Sequence, residues 1–260
     1  MIKLLIITGP TSTGKTALGI RLAQEFNGEI ISADSQQAIV GRDQERGKDK
    51  QLYQQAGVKI WGLDLVTDGF NVASFVTFAR KTIADIATRG KLPIVVGGTG
   101  HYLRALLDPF ATINISPDEK LRRQNLPLLQ LQEKLKKIAP QKWQIMNPSD
   151  RGNPRRLVRA IEVGQRGGQV LSKEKYDVLV LGLTASREHL YQKITQRRKN
   201  RLDLVAEEFA LAKKQFLYQK KYLPAQWFDI QNPKFDNEIR WQVKNFVSPL
   251  TNKGKNTLTT

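Results

Sequence analysis

Gly9-Pro10-Thr11-Ser12-Thr13-Gly14-Lys15-Thr16 fits G-x-x-x-x-G-K-[ST], a spacing that wraps backbone around a phosphate. Gly9 and Gly14 permit the tight path, so successive N–H groups turn inward, and the N-terminus of a following helix adds a positive dipole end. Lys15 supplies a point charge for a phosphate oxygen, and the Thr16 hydroxyl is the expected Mg²⁺ ligand. The surroundings suit a true phosphate loop. An apolar run, Leu4-Leu5-Ile6-Ile7, precedes it, and Leu18, Leu22 and Phe26, with Ala23 beside them, recur behind it as one face of a helix.

Asp34 is the second group with chemistry in it. The run Glu29-Ile30-Ile31-Ser32-Ala33 reads as a strand ending at Asp34-Ser35, one strand along from the phosphate loop. Ligands of open parallel sheets bind beyond the carboxyl ends of the strands, which puts a carboxylate beside phosphate and cation. Its possible roles are general base, Mg²⁺ partner through water, or acceptor from an amine. Gly97-Gly98-Thr99-Gly100 also follows a strand, where glycines allow close approach of a ligand and Thr99 can bond to it. Arg155, Arg156 and Arg159 open a helix; Arg155 and Arg159 share a face while Leu157, Val158 and Ile161 point elsewhere. Such guanidinium groups suit an RNA backbone, as do Arg122 and Arg123. Arg197, Arg198 and Arg201 cluster later, and one arginine turned to the sheet end would grip a leaving group.

These groups need a frame, and the pattern supplies one. Residues 1–110 alternate apolar runs with helical periods, including a helix over 72–89 and a strand at Leu92-Pro93-Ile94-Val95-Val96. That is the signature of an α/β fold, a parallel sheet of the P-loop NTPase kind flanked by helices. Between 111 and 171 strand signals vanish and charged helical stretches take over, broken near Pro127. Asn153-Pro154 then caps a helix running to about Gly167. This region is expected to be an inserted helical subdomain over the site. The core resumes at 172–248 with a strand over Asp177–Leu183 and one long basic helical segment over 187–222. The tail, 249–260, has no apolar period and is expected to be frayed.

Composition narrows the partners. Forty-two Lys+Arg against 24 Asp+Glu give the 260 residues a net charge of +18 and a pI near 10.1. Such an excess favours a polyanion, and nucleic acid before a small metabolite. The absence of cysteine excludes disulfides, thiolate metal sites and cysteine nucleophiles, and is compatible with a cytoplasmic protein. No apolar run approaches a membrane span, so no membrane partner is expected, and neither histidine has a partner at metal-ligand spacing.

Taken in order, Gly9–Thr16, Asp34-Ser35-x-Gln37, Gly97-Gly98-Thr99-Gly100-x-Tyr102-Leu103 and Arg155-Arg156-Leu157-x-Arg159-Ala160-x-Glu162-Val163 resemble the tRNA dimethylallyltransferases, also called tRNA isopentenyltransferases. The likeness extends over most of 1–200 and resumes at Ala212-Lys213-Lys214-Gln215 and Trp227-Phe228-Asp229. It implies that the loop Gly9, Pro10, Thr11, Ser12, Thr13, Gly14, Lys15 and Thr16 holds the pyrophosphate of dimethylallyl diphosphate with Mg²⁺. The N6 of the anticodon-loop adenosine at position 37, unstacked from its neighbours, then displaces that pyrophosphate. Asp34 would take the N6 proton, and Lys15 and Arg197 would stabilise the leaving charge. Ser35, Gln36, Gln37 and Thr99 would touch the tRNA near the base. Arg122, Arg155, Arg156, Leu157, Val158 and Arg159 match tRNA contacts of the insert. A monomer is expected. The family pattern is broken in places: Ile39 stands where an aromatic is usual, Glu45-Arg46-Gly47-Lys48 replaces G-T-A-K, and Ile60-Trp61 replaces paired histidines. A G-Y-[KR]-[EQ] segment and the arginine-rich helix after it are deleted or eroded between Asp203 and Lys213.

Two other readings fit part of the pattern. A P-loop kinase of a small metabolite or nucleotide would use Asp34 to activate a hydroxyl, but gains nothing from +18. An RNA-binding paralogue weakened in catalysis suits the missing segment, yet has no need of Lys15, Thr16 and Asp34 together.

Overall fold

A computed structural model describes residues 1–41, 50–67, 69–109, 112–113, 115–166, 176–199 and 202–248. The 45–48 stretch, Arg201, the helix end at Gly167 and the 249–260 tail lie outside the described residues. The chain divides into two compact units, one from Met1–Leu106 and Glu174–Thr260, the other from Leu107–Lys173.

The larger unit is a six-stranded sheet in the order β3-β2-β4-β1-β5-β6, parallel in every described pairing. Its strands are β1 (Ile2–Thr8), β2 (Gly28–Ser32), β3 (Ile60–Trp61), β4 (Leu92–Val96), β5 (Tyr176–Thr184) and β6 (Gln226–Asp229). Leu4 to Ile7, Ile30, Ile31, Ile94 and Val95 are fully buried, because a central parallel strand carries helices on both faces and has no wet side to alternate with. Those helices are α1 (Lys15–Glu25), α2 (Lys50–Gln55), α3 (Val72–Thr88) and α4 (Gly100–Leu107) in the first half. In the second half they are α10 (Arg187–Arg197), α11 (Val205–Tyr222) and α12 (Phe235–Val247).

The topology corrects one expectation. Asp34 follows β2, which is not the neighbour of β1; β4 lies between them. The joint is made by backbone: Gly97 N–H donates to the Ile7 carbonyl at 3.1 Å, and Ala33 N–H donates to the Val96 carbonyl at 2.8 Å. Gly97 is required there, since a Cβ would lie 2.2 Å from the Ala33 carbonyl oxygen. The expected helical segment over 187–222 is also interrupted. α10 ends at Arg197, a 3₁₀ turn covers Leu202–Leu204, and α11 begins at Val205, so that Ile194 packs against Val205 and Ala212.

The smaller unit is helical: α5 (Glu119–Arg123), α6 (Leu128–Ile138), α7 (Pro140–Ile145), α8 (Pro148–Arg151) and α9 (Pro154–Arg166). Pro127 is the N-cap of α6, and the Asn153 side chain accepts from the amides of Arg155 and Arg156 at the start of α9. Its core gathers Leu121, Leu131, Leu135, Met146, Leu157 and Ile161.

Candidate active site

The carboxyl ends of β1, β2 and β4 open into one cavity of about 1320 Å³. Thr11, Ser12, Gly14, Lys15 and Thr16 line it, as do Asp34, Ser35, Gln36, Gln37, Thr99 and Arg197. Three separate sequence motifs therefore meet in one place. The space exceeds what one small ligand needs, which leaves room for a second substrate.

The loop itself is built as its residues demand. Gly9 has a φ of +144° and sits where a Cβ would lie 2.5 Å from the Leu183 carbonyl oxygen, so no other residue fits. Gly14 caps α1 in the left-handed region at φ 81°, which aims the first amides of the helix at the cavity. Ser12 adopts φ 64°, and its buried hydroxyl has no hydrogen-bond partner among the described residues. The Thr13 hydroxyl donates to the Pro10 carbonyl, as does Lys15 Nζ at 2.7 Å. Burial lowers the Lys15 ammonium to a pKa of about 8; the Asp34 carboxylate resists that shift and the Arg197 guanidinium reinforces it. The lysine thus feels both groups that share the cavity with it.

Asp34 is half-buried and faces Lys15 across the cavity, and its Oδ1 accepts the Gln36 amide at 2.9 Å. That local turn fixes the carboxylate at the end of β2. Ser35 N–H donates to the Thr99 hydroxyl at 3.3 Å, so the loops after β2 and β4 hold each other, while Ser32 Oγ donates to Gln37 Oε1 at 2.7 Å and ties the first loop back to its own strand. Behind Thr99, the Tyr102 ring stacks on Phe75 at 4.6 Å and its hydroxyl donates to the Phe70 carbonyl.

α11 contributes what the sequence did not reveal. Glu208, Gln215 and Gln219 fall at i, i+7 and i+11, one face of the helix, and each touches the phosphate loop or its neighbour. The Glu208 carboxylate accepts from the Thr11 hydroxyl at 3.0 Å and from the Arg197 and Arg198 guanidinium groups. Gln215 Oε1 accepts the Thr11 amide at 2.9 Å. Gln219 Nε2 donates to the Gly98 carbonyl at 2.8 Å and the Gly9 carbonyl at 3.4 Å. Helical spacing of polar residues in an otherwise basic stretch was the available signal; Gln215 had entered only through family resemblance.

In the smaller unit the expected RNA contacts divide. Leu157 is fully buried in that unit's core, so its side chain is withdrawn from the RNA-contacting set, and Val158 packs partly buried against the same core. Arg122 Nε bonds Glu162 at 2.8 Å, and Arg159 bonds Glu162 at 3.0 Å and the Thr112 and Ile115 carbonyls. Burial of Glu162 would raise its pKa, but Arg122, the Asp118 amide and Arg159 outweigh it and the net shift is downward. Arg155 and Arg156 are exposed, the latter paired with Asp150. Among the described residues no cluster of three or more His, Cys, Asp or Glu is placed to hold a metal, and no helix is long and apolar enough to cross a membrane.

Comparison with known proteins places this geometry. A family model described as IPP transferase matches residues 48–230. A tRNA dimethylallyltransferase of Streptococcus pyogenes serotype M28 is 38% identical over 221 residues, covering 84% of this chain and 72% of the relative. One from Leuconostoc citreum is 38% identical over 211 residues, covering 78% and 70%. The crystal structure of a tRNA delta(2)-isopentenylpyrophosphate transferase from Staphylococcus epidermidis superposes with a TM-score of 0.65 at 26% identity, over 94% of this chain and 100% of that one. A full-length tRNA isopentenylpyrophosphate transferase from Bacillus halodurans gives 0.65 at 27% identity, over 95% and 97%. This chain belongs to the IPP transferase family, that of the tRNA dimethylallyltransferases.

Proposed function

We propose that the protein transfers the dimethylallyl group of dimethylallyl diphosphate to N6 of adenosine 37 in the tRNA anticodon loop. The observation that carries this is the shared cavity: the Gly9–Thr16 loop and the Asp34 carboxylate line one space. The diphosphate lies in the loop on inward amides, the helix dipole and Lys15, and the Ser12 hydroxyl gains the partner it lacks among the described residues. The adenine enters from its stack, and N6 accepts the C1 carbon of the prenyl chain as the C–O bond to the diphosphate breaks. Asp34 takes the N6 proton, and pyrophosphate leaves against Lys15 and Arg197, fixed charges that need no reorganisation as the negative charge grows.

The donor set suits Mg²⁺, which prefers few protein ligands together with water and phosphate oxygens. Thr16 would hold it directly and Asp34 through water, and it would neutralise charge on the leaving pyrophosphate. Ser35, Gln36, Gln37 and Thr99 would touch the tRNA beside the modified base. Arg155 and Arg156, with the free donors of Arg122 and Arg159, would meet its phosphates.

The test incubates protein, dimethylallyl diphosphate, Mg²⁺ and unmodified tRNA carrying A36 and A37, with nucleoside mass spectrometry as readout. N6-dimethylallyladenosine is expected, and its absence with tRNA binding retained would sink the reading.

A further inference from the structure

The groups that hold and move charge in this cavity are polar, but the prenyl chain that arrives with the diphosphate is not. Left in water that chain adds nothing to binding; covered by side chains it adds affinity in proportion to the apolar area it loses to solvent. It is bonded to the diphosphate, so any apolar wall that covers it must stand beside the Gly9–Thr16 loop.

α11 carries such a wall. Thr11 holds this helix at two points: its hydroxyl donates to the Glu208 carboxylate at 3.0 Å, and its amide donates to Gln215 Oε1 at 2.9 Å. Leu211 lies between them, three residues after Glu208 and four before Gln215, on the same face of the helix. Hydrogen bonds on either side of it therefore fix its place against the phosphate loop. Leu211 lines the cavity while 48% exposed, and Leu52 of α2 and Leu204 at the N-cap of α11 line it too. Exposure alone does not single it out, since Leu217 on the same helix is 57% exposed and does not line the cavity. What distinguishes Leu211 is a wet leucine between two residues bonded to the loop, which a ligand with a charged head and an apolar tail would cover.

We propose that Leu211 is a specificity-determining residue that covers the dimethylallyl tail while the loop holds the diphosphate, so that the site prefers a prenyl ester to other diphosphates. The inference rests on reading Gly9–Thr16 as the diphosphate site. The adenine is the other flat apolar surface that enters the cavity, but it meets Asp34 at the end of β2. Leu211 is anchored to the loop after β1, and β4 lies between those two strands.

Calorimetric titration of the full chain with dimethylallyl diphosphate and with methyl diphosphate, both with Mg²⁺ and without tRNA, tests this. The two ligands share the diphosphate ester and differ only in the tail. Wild type should bind the dimethylallyl ester at least about tenfold more tightly. Leu211→Ala should shrink that ratio about fivefold, with methyl diphosphate affinity changed less than about threefold. Leu211→Met, of similar volume, should keep the ratio, and so should Leu217→Ala. A wild-type ratio near one overturns the proposal, as does a ratio unmoved by Leu211→Ala. Equal loss of both ligands in Leu211→Ala also overturns it, marking the leucine as a support of the helix. An unmoved ratio with a raised KM for tRNA would give Leu211 to the base instead. Lys15→Ala separates the two levels. If it leaves methyl diphosphate binding intact, the loop reading falls; if it abolishes binding while the ratio ignores Leu211, only the present proposal falls. The wild-type ratio needs no variant and stands where one misfolds.

Discussion

Gln219 and Gly98 are joined by a hydrogen bond of 2.8 Å with no exposed surface on the glutamine. The same amide nitrogen reaches the Gly9 carbonyl, so one side chain of α11 ties the start of the phosphate loop to the turn after β4. Gln219→Ala takes the side-chain donor from the buried Gly9 carbonyl, leaves the Gly98 carbonyl only its bond from the Gly100 amide, and opens a void. It should cost on the order of 2 kcal/mol, read as a lower denaturant midpoint with an unchanged slope.

Lys15 gives the site a pH edge. With its pKa lowered to about 8 by burial and Arg197, against the pull of Asp34, the free lysine loses its proton just above neutrality. A diphosphate binds the ammonium form, so above about pH 8 binding must first take up a proton. Affinity should then fall about tenfold per pH unit until the pKa of the bound state is reached. Pyrophosphate titrations between pH 7 and 9.5 check this, and Lys15→Gln should flatten the slope and weaken binding throughout.

Asp34 stands opposite the phosphate loop and does not bond to it. Asp34→Asn should lower kcat by about 10² to 10⁴. Pyrophosphate affinity should fall far less than kcat, because proton acceptance is made only during reaction, while what Asp34 gives the bound diphosphate is an indirect contact through water and Mg²⁺. Full prenylation by the variant would remove Asp34 from the base role.

Far from the cavity, the nearly sealed Glu29 carboxylate accepts from Arg89, Trp61 Nε1 and Lys91. Arg89 chiefly, against burial and aided by Trp61 and Lys91, holds its pKa at about 2. A folded-state pKa below the unfolded one stabilises the protein fully above the ordinary carboxylate range and is lost as pH falls toward about 2. Glu29→Gln takes the anion from Lys91 and leaves Arg89 only its pair with Asp85. With both cations more than a third exposed, it should destabilise by only about 1 kcal/mol at pH 7 and flatten the acid limb of a pH-dependent melting series.

How much of this the residues announced depends on which force placed them. Leu4 to Ile7, Ile30 to Ala33 and Leu92 to Val96 read as strands because buried parallel strands are continuously apolar. Gly9–Thr16 read as a phosphate loop because its spacing has one backbone solution. The order of strands was not legible: nothing local to β4 says that it divides β1 from β2. β6 was met only as a family motif, four residues whose partner, β5, lies over 40 positions earlier. α12 went unread although Ile239 and Val243 are fully buried, since a short amphipathic stretch among charges declares its face only once something covers it. Glu208 was hidden for the same reason: in a basic helix a glutamate reads as solvated until tertiary contact turns it inward.

The strand dividing β1 from β2 acts as a ruler. Parallel strands lie about 4.8 Å apart, so the strands that carry the Gly9–Thr16 loop and Asp34 are set about 10 Å from each other, axis to axis. That length is gauged by hydrogen-bonded backbone and by Gly97, whose missing methyl lets the rungs close. Substitutions in either loop can therefore change what it holds, but the separation of the two strands that carry them can be reset only by rebuilding the sheet.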